Sequence, residues 1–356
     1  VRPYDRIDHL TLALCAIPSV TGDEAACASY VEGLLRETPL SVTRIGQTLL
    51  ARGPIRGRPL VVLAGHTDTV PPRGQTDVAM RDGRIYGLGA SDMKGGLAVM
   101  LALAEGLDLD QCPYDLGFVF YDREEGPWAE SGLGPALEQA PWLQTANLAF
   151  CLEPSDNDVQ VGCLGTMHAV LSFHGRAAHS ARPWQGENAI HAAGPLLTAL
   201  GALAPVEQNC GGFPYREVMS ATLADGGRAR NVIPDLFEIN VNFRFAPGRS
   251  IEGAEAQLRA FVDTHAPGAS VSIRERAPSG RVVHGNAILA RFLALNGNTV
   301  TAKQAWTDVA RFSEAGVDAV NLGPGLSAQA HQVGEFAETA LLHASYDQFR
   351  RFLTTP

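Results

Sequence analysis

Apolar residues recur at helical spacing over 6–16, and Ser19-Val20-Thr21-Gly22-Asp23-Glu24 then supplies turn and cap chemistry ahead of a second helix reaching Leu35. Residues 60–64 form a short apolar run that ends in Gly65-His66. This is the pattern of a buried strand that delivers a polar side chain at its C-terminal end. Residues 116–121 read as another buried strand, and 147–152 as a third that leads into Glu153. The small, apolar stretch 95–107 reads as a buried helix. Strands alternating with helices predict an α/β sheet covered on both faces.

From about Val161 the texture changes. Residues 166–175 and 238–245 alternate as strands of a half-exposed antiparallel sheet do, with a helix over 188–204 between them. Beyond Arg274 the earlier pattern returns, with a helix over 287–295, a strand over 317–322 and a final helix over 336–353. The predicted organisation is a large α/β domain made of 1–162 and 274–356, interrupted by a smaller inserted domain at 163–273.

Composition narrows the function. The chain has 356 residues, 46% hydrophobic and 19% charged, a globular balance with enough apolar material for a sizeable core. A net charge of -10 with no local Lys/Arg cluster argues against nucleic acid and anionic membrane surfaces as partners. The six cysteines contain no CxxC pair and sit mostly among apolar neighbours, which fits a reducing compartment. Residues 1–16 lack a basic region followed by a long apolar run, and no stretch of about 18 apolar residues occurs, so a cytoplasmic location is expected.

The chemistry-bearing positions stand at the ends of predicted strands or in glycine-rich loops: His66, Asp92, the pair Glu124-Glu125, Glu153 and His331. A hydrolytic site with two metal ions needs hard oxygen and imidazole ligands on both, and one bridging carboxylate to hold the ions about 3.5–4 Å apart. In an extended stretch His66 and Asp68 point the same way, so Asp68 is placed to orient the imidazole. Gly87-Leu88-Gly89-Ala90-Ser91-Asp92 forms a turn leading into a helix whose N-terminus favours an anion. Adjacent carboxylates at Glu124 and Glu125 are costly unless a cation or a shared proton relieves them. One can bind metal while the other removes a proton from an activated water.

Taken in order, GHTDTVPP, GLGASDMKGG, REEGP, LEPSD, GRAAHSARPW and AHQVGE resemble the M20 family of metallopeptidases and deacylases, across essentially the whole chain. The resemblance implies that His66 and Glu153 bind one metal, Glu125 and His331 the other, and that Asp92 bridges them. It makes Glu124 the general base, with Asp68 supporting His66. It further implies two divalent ions, zinc with cobalt or manganese as alternatives, on a zinc-peptidase-like domain whose mixed sheet is covered by helices. The insert is expected to be an α+β lid and dimerisation domain with a four-stranded antiparallel sheet and two helices, giving a homodimer. Within it, His179 resembles the histidine that stabilises the oxyanion, in its own or the partner's active site, and Asn231 and Arg244 resemble substrate-carboxylate contacts.

Several reactions share such a site. The resemblance favours removal of a succinyl group from N-succinyl-LL-2,6-diaminopimelate. Deacetylation of acetylornithine, hydrolysis of other N-acyl amino acids and dipeptide cleavage are the alternatives, and a non-catalytic amino-acid or peptide binder is the alternative of another class. Asn321-Leu322-Gly323-Pro324-Gly325 adds an expectation that Gly323 and Gly325 turn backbone N–H groups toward a second substrate carboxylate. Against the succinyl reading, 161–166 lacks an arginine that several such enzymes carry near that point.

Overall fold

The computed structural model describes residues 2–74 and 77–356. The chain forms two compact units, one ending first at Gly162 and resuming over Arg281–Lys303 and Thr307–Pro356, the other comprising Cys163–Gly280 and Gln304–Trp306.

The first unit is built on an eight-stranded mixed sheet. In spatial order its strands are Ser41–Ile45, Thr48–Arg52, Asp115–Tyr121, Leu60–His66, Leu148–Cys151, Ala319–Asn321, Val159–Val161 and Val300–Ala302. Four consecutive strands, from Asp115–Tyr121 to Ala319–Asn321, run parallel. Every residue of Leu60–His66 and Asp115–Tyr121 is buried, which explains why these strands read as continuous apolar runs rather than alternating ones. Open parallel sheets collect function at the carboxyl ends of their strands. His66 is the last residue of its strand, Glu124 and Glu125 follow the end of the next, and Glu153 follows Cys151 by two residues.

Packing keeps that edge in place. The helix Gly95–Gly106 is buried at every position from Gly95 to Ala104, so it is apolar all round. The helix Pro3–Ala16 starts at a proline, whose missing N–H costs nothing there, and turns Ile7, Leu10, Leu14 and Cys15 inward. Beneath the sheet Phe150 lies 5.1 Å from Phe292 and 5.3 Å from Phe349, centroid to centroid, in a cluster whose truncation would cost about 3–5 kcal/mol per ring.

The second unit carries an antiparallel sheet in the order Val206–Cys210, Phe213–Gly226, Leu236–Phe245, Gly165–His174, Ser270–Ala277. The strand Gly165–His174 alternates buried and half-buried positions, and its inward residues Met167, Ala169, Leu171 and Phe173 pack with Ile239, Val241, Leu196, Leu258 and Val262. The sheet therefore has five strands among the described residues, not the four implied by resemblance. The expected boundary at 273 cuts through Ser270–Ala277, which pairs along Gly165–His174; the unit continues to Gly280.

Two helices also differ from expectation. The helix expected over 188–204 is two, Ala189–Ala192 and Gly194–Ala202, because Pro195 has no N–H to extend the first. The final helix is Thr339–Thr354, since Phe336–Glu338 forms a strand against Arg84–Tyr86. No helix among the described residues is long and apolar enough to cross a membrane.

Candidate metal centre

His66 is fully buried at the end of its strand. Its Nδ1 lies 3.1 Å from the Asp68 carbonyl oxygen and 3.3 Å from Asp68 Oδ1, and its Nε2 lies 3.2 Å from Asp92 Oδ1 and 3.9 Å from Glu153 Oε1. Burial pulls the imidazole's pKa down, but Asp68, Asp92, Glu153 and Glu124 together push it well above its ordinary value.

Asp68 is also the hub of the Glu124-Glu125 turn. Its Oδ1 accepts the Glu124 N–H at 3.0 Å, and its Oδ2 accepts the Glu125 N–H at 3.0 Å and the Thr21 hydroxyl at 2.9 Å. Buried itself, Asp68 would have a raised pKa, but His66 and the two backbone N–H groups hold it below the usual range.

Asp92 offers one oxygen to each side. Oδ1 faces His66, while Oδ2 lies 3.6 Å from His331 Nε2, which itself stands 2.9 Å from Glu125 Oε1. The donor atoms of His66, Asp92 and Glu153 lie within 4.8 Å of one another, as do those of Asp92, Glu125 and His331, and those of His66, Glu124 and Glu125. Two three-residue clusters thus share Asp92, and Glu124 borders both through His66 and Glu125.

This gathering of carboxylates is electrostatically unsatisfied as it stands. Burial pushes Glu153 up to about 8, with the neighbouring carboxylates adding to it, and burial followed by Glu153 pushes Glu124 well above its ordinary value. Glu153 Oε1 is buried without a hydrogen-bond partner. A divalent cation relieves both conditions, and imidazole with carboxylate donors and no thiolate suits zinc, cobalt or manganese. The residues therefore fit a metal pair.

The turn before Asp92 holds a surprise. Its N–H groups were expected to favour an anion, and the anion is internal. Glu335 Oε1 accepts from Ser91 N at 2.8 Å and Asp92 N at 2.9 Å, and Oε2 accepts from Gly89 N at 2.8 Å. Glu335 lies in the AHQVGE segment, where the sequence alone assigns it no role. The available signal was a glycine turn rich in N–H groups, which calls for a carboxylate acceptor.

A second unforeseen support lies under the Glu124-Glu125 loop. The Arg311 guanidinium sits 3.6 Å over the Trp128 ring, donates to the Trp128 carbonyl, and donates through Nε to Asp308 Oδ1 at 2.9 Å.

The expectation for Gly323 fails. The Gly323 N–H is buried and donates to Ser155 Oγ at 3.0 Å, so it is committed within the protein. A Cβ at Gly323 would come within 2.2 Å of the Leu152 carbonyl oxygen, and one at Gly325 within 2.1 Å of the Ser91 carbonyl oxygen. The two glycines let this loop pack against the backbone leading to Glu153 and Asp92.

In the second unit His179 is exposed on a short strand, and its Nδ1 accepts the Ala181 N–H at 3.1 Å. The neutral ring then carries its proton on Nε2. Asn231 is exposed, and its carbonyl accepts from Ser180 N at 2.9 Å. Arg244 is half-buried and donates through Nε to Asn242 Oδ1 at 2.9 Å.

Two clusters of imidazole and carboxylate donors that share one aspartate make up the donor set of a two-metal site. The sequence matches the family described as peptidase family M20/M25/M40 over residues 62–355, and the chain belongs to that family. It is 38% identical over 349 residues, 97% of each chain, to a Mycobacterium tuberculosis protein that carries the provisional name succinyl-diaminopimelate desuccinylase. It is 36% identical over 335 residues, 92% of this chain and 90% of the other, to the succinyl-diaminopimelate desuccinylase of Corynebacterium glutamicum. A solved tripeptidase of Staphylococcus aureus shares the fold, with a TM-score of 0.81 at 21% identity over 99% of this chain and 98% of that one.

Proposed function

We propose that the protein is a metal-dependent amidohydrolase that removes the succinyl group from N-succinyl-LL-2,6-diaminopimelate, giving LL-2,6-diaminopimelate and succinate in the cytoplasm. The observation that carries the reading is the sharing of Asp92 between the His66–Glu153 and Glu125–His331 clusters, with Glu124 beside both. The names of the M. tuberculosis and C. glutamicum relatives support the choice of substrate.

His66 and Glu153 would hold one ion, Glu125 and His331 the other, and Asp92 both, with zinc the ion of choice. When bound, the pair supplies Lewis-acid polarisation of the amide carbonyl and a water of lowered pKa. Glu124 takes the proton of the attacking water and returns it to the departing amine. Its burial suits that task, because a carboxylate with a raised pKa sits closer to the working pH and transfers protons both ways. Asp68 fixes the His66 ring and both backbone N–H groups of the glutamate pair, so base and ligands share one anchor.

His179, with its Nε2 proton, is the donor for the tetrahedral oxyanion, a role worth roughly 2.7–4 kcal/mol. Asn231 and Arg244 take the substrate carboxylate, for which a guanidinium fork is suited. A homodimer formed through the second unit is part of the same reading.

The test is hydrolysis of N-succinyl-LL-2,6-diaminopimelate beside N-acetylornithine and a simple dipeptide, using metal-stripped protein titrated with zinc. Zinc-dependent preference for the succinyl substrate is the expected result. A preference for either rival would move the substrate and keep the two-metal site; no zinc-dependent turnover of any of the three would overturn the reading.

A further inference from the structure

We propose that Glu335 is a positioning residue that locks the turn carrying Asp92 to the segment carrying His331, and so sets the carboxylate shared by the metal pair. The inference rests on the two-metal reading of the site. Asp92 and His331 are 239 positions apart in the chain, and their side chains come within 3.6 Å.

The joint is made by backbone and side chain together. Glu335 immediately precedes the strand Phe336–Glu338, whose register opposite Arg84–Tyr86 brings Gly87 N to within 3.2 Å of the Glu335 carbonyl oxygen. The side chain, 1% exposed, then turns into the loop and collects the N–H groups of Gly89, Ser91 and Asp92. Ser91 completes the joint by donating its hydroxyl to the Phe336 carbonyl oxygen at 3.0 Å. Gly89 has φ +80, and a Cβ there would meet Thr69 Cγ2 at 2.6 Å, so the turn that aims these donors depends on glycine.

Three donors converging on one side chain require an acceptor with lone pairs on both ends and no N–H of its own. A carboxylate, with an acceptor oxygen at each end, meets that requirement. A glutamine would point its NH2 group at one of the sets of backbone donors. The Asp92 N–H is itself one of the three, so a shift at Glu335 reaches the metal-facing carboxylate through a single residue. Supporting groups behind metal ligands typically control affinity about 10–100-fold.

The experiment compares wild type, Glu335→Gln and Glu335→Asp. Each is stripped of metal and titrated with zinc against a competing chelator, and kcat, KM and thermal midpoint are measured on the zinc-loaded proteins. The expected result is zinc affinity weakened about 10–100-fold in Glu335→Gln, with kcat falling and KM nearly constant. Glu335→Asp, which keeps the carboxylate, should recover part of both. A residue that merely stabilised the fold would lower the thermal midpoint and leave zinc affinity and kcat alone, and that outcome overturns the proposal. If the glutamine variant does not fold, Glu335→Asp carries the test: wild-type zinc affinity and kcat in it would overturn the proposal, and weakened zinc binding with a lower kcat would support it. Wild-type protein that binds no zinc pair overturns the reading of the site and the proposal with it, whereas a normal wild type beside unchanged variants overturns the proposal alone.

Discussion

His331 Nε2 stands 2.9 Å from Glu125 Oε1, and this contact holds the imidazole pKa up to about 9. Both side chains belong to one proposed metal cluster, and a metal ion must displace the proton they share. Burial likewise holds Glu153 up to about 8. Both groups are therefore protonated in metal-free protein at neutral pH, and only their deprotonated forms are ligands. Zinc affinity should rise with pH through the neutral range toward about 9 and go on rising until His66, whose pKa is held up as well, has also lost its proton, with protons released on binding. Calorimetry in two buffers of different ionisation enthalpy, with chelator competition across that range, measures both. Affinity that stays flat with pH and releases no protons would contradict the ligand assignment.

Glu124 lies close to the His66 and Glu125 donors but is left out of both clusters that share Asp92. Replacing it by Gln keeps the size and removes the proton acceptor. The expected outcome is two zinc ions retained and kcat reduced roughly 10²–10⁴-fold. Metal analysis and steady-state kinetics on one preparation separate the roles: loss of an ion would make Glu124 a ligand, and retained turnover would end its assignment as base.

Much of this centre is legible in the sequence because parallel strands deliver side chains where they end. The run 60–64 ending in Gly65-His66 announces both a buried strand and the residue it presents, and Glu153 follows its strand in the same way. What the pattern could not carry is pairing between distant segments. Nothing local to Phe336 distinguishes the start of a helix from a three-residue strand held against Arg84–Tyr86. The same pairing places Glu335 under Gly89, Ser91 and Asp92, so its role is invisible until the register is known. Gly323 illustrates the reverse error, because a glycine that opens a loop to a ligand and a glycine that lets two backbones touch look alike in one dimension.

Arg311 grips Trp128 by its ring and its carbonyl, three residues beyond Glu125, while Asp308 holds the guanidinium from behind. Lysine keeps the charge but lacks the planar fork that makes these contacts at once. Arg311→Lys should lose about 0.5–2 kcal/mol of stability from the ring contact and, by loosening the loop that presents the glutamates, lower kcat by up to about 100-fold. Thermal unfolding and kinetics on the zinc-loaded variant check the pair of effects. Unchanged kcat with lowered stability would confine Arg311 to the fold.

Asp68 makes the last prediction, since its four partners need different things from it. The N–H groups of Glu124 and Glu125 and the Thr21 hydroxyl need acceptors on both oxygens, and His66 Nδ1 needs a carboxylate that fixes its proton there and leaves Nε2 toward Asp92. Asn at this position supplies one acceptor oxygen and an NH2 group that meets another donor head-on. A buried donor left without a partner costs about 1–3 kcal/mol, so the variant should relax by moving the glutamate loop or the His66 ring. Either movement weakens the centre. Asp68→Asn is expected to lower zinc affinity or kcat about 10–100-fold, with KM changing little, because substrate contacts are assigned elsewhere. Zinc titration, kinetics and thermal unfolding on the one variant separate a loss of ligand geometry from a general loss of stability. Wild-type zinc affinity and kcat in a folded Asp68→Asn protein would remove Asp68 from the machinery and leave His66 oriented by the Asp68 backbone carbonyl alone.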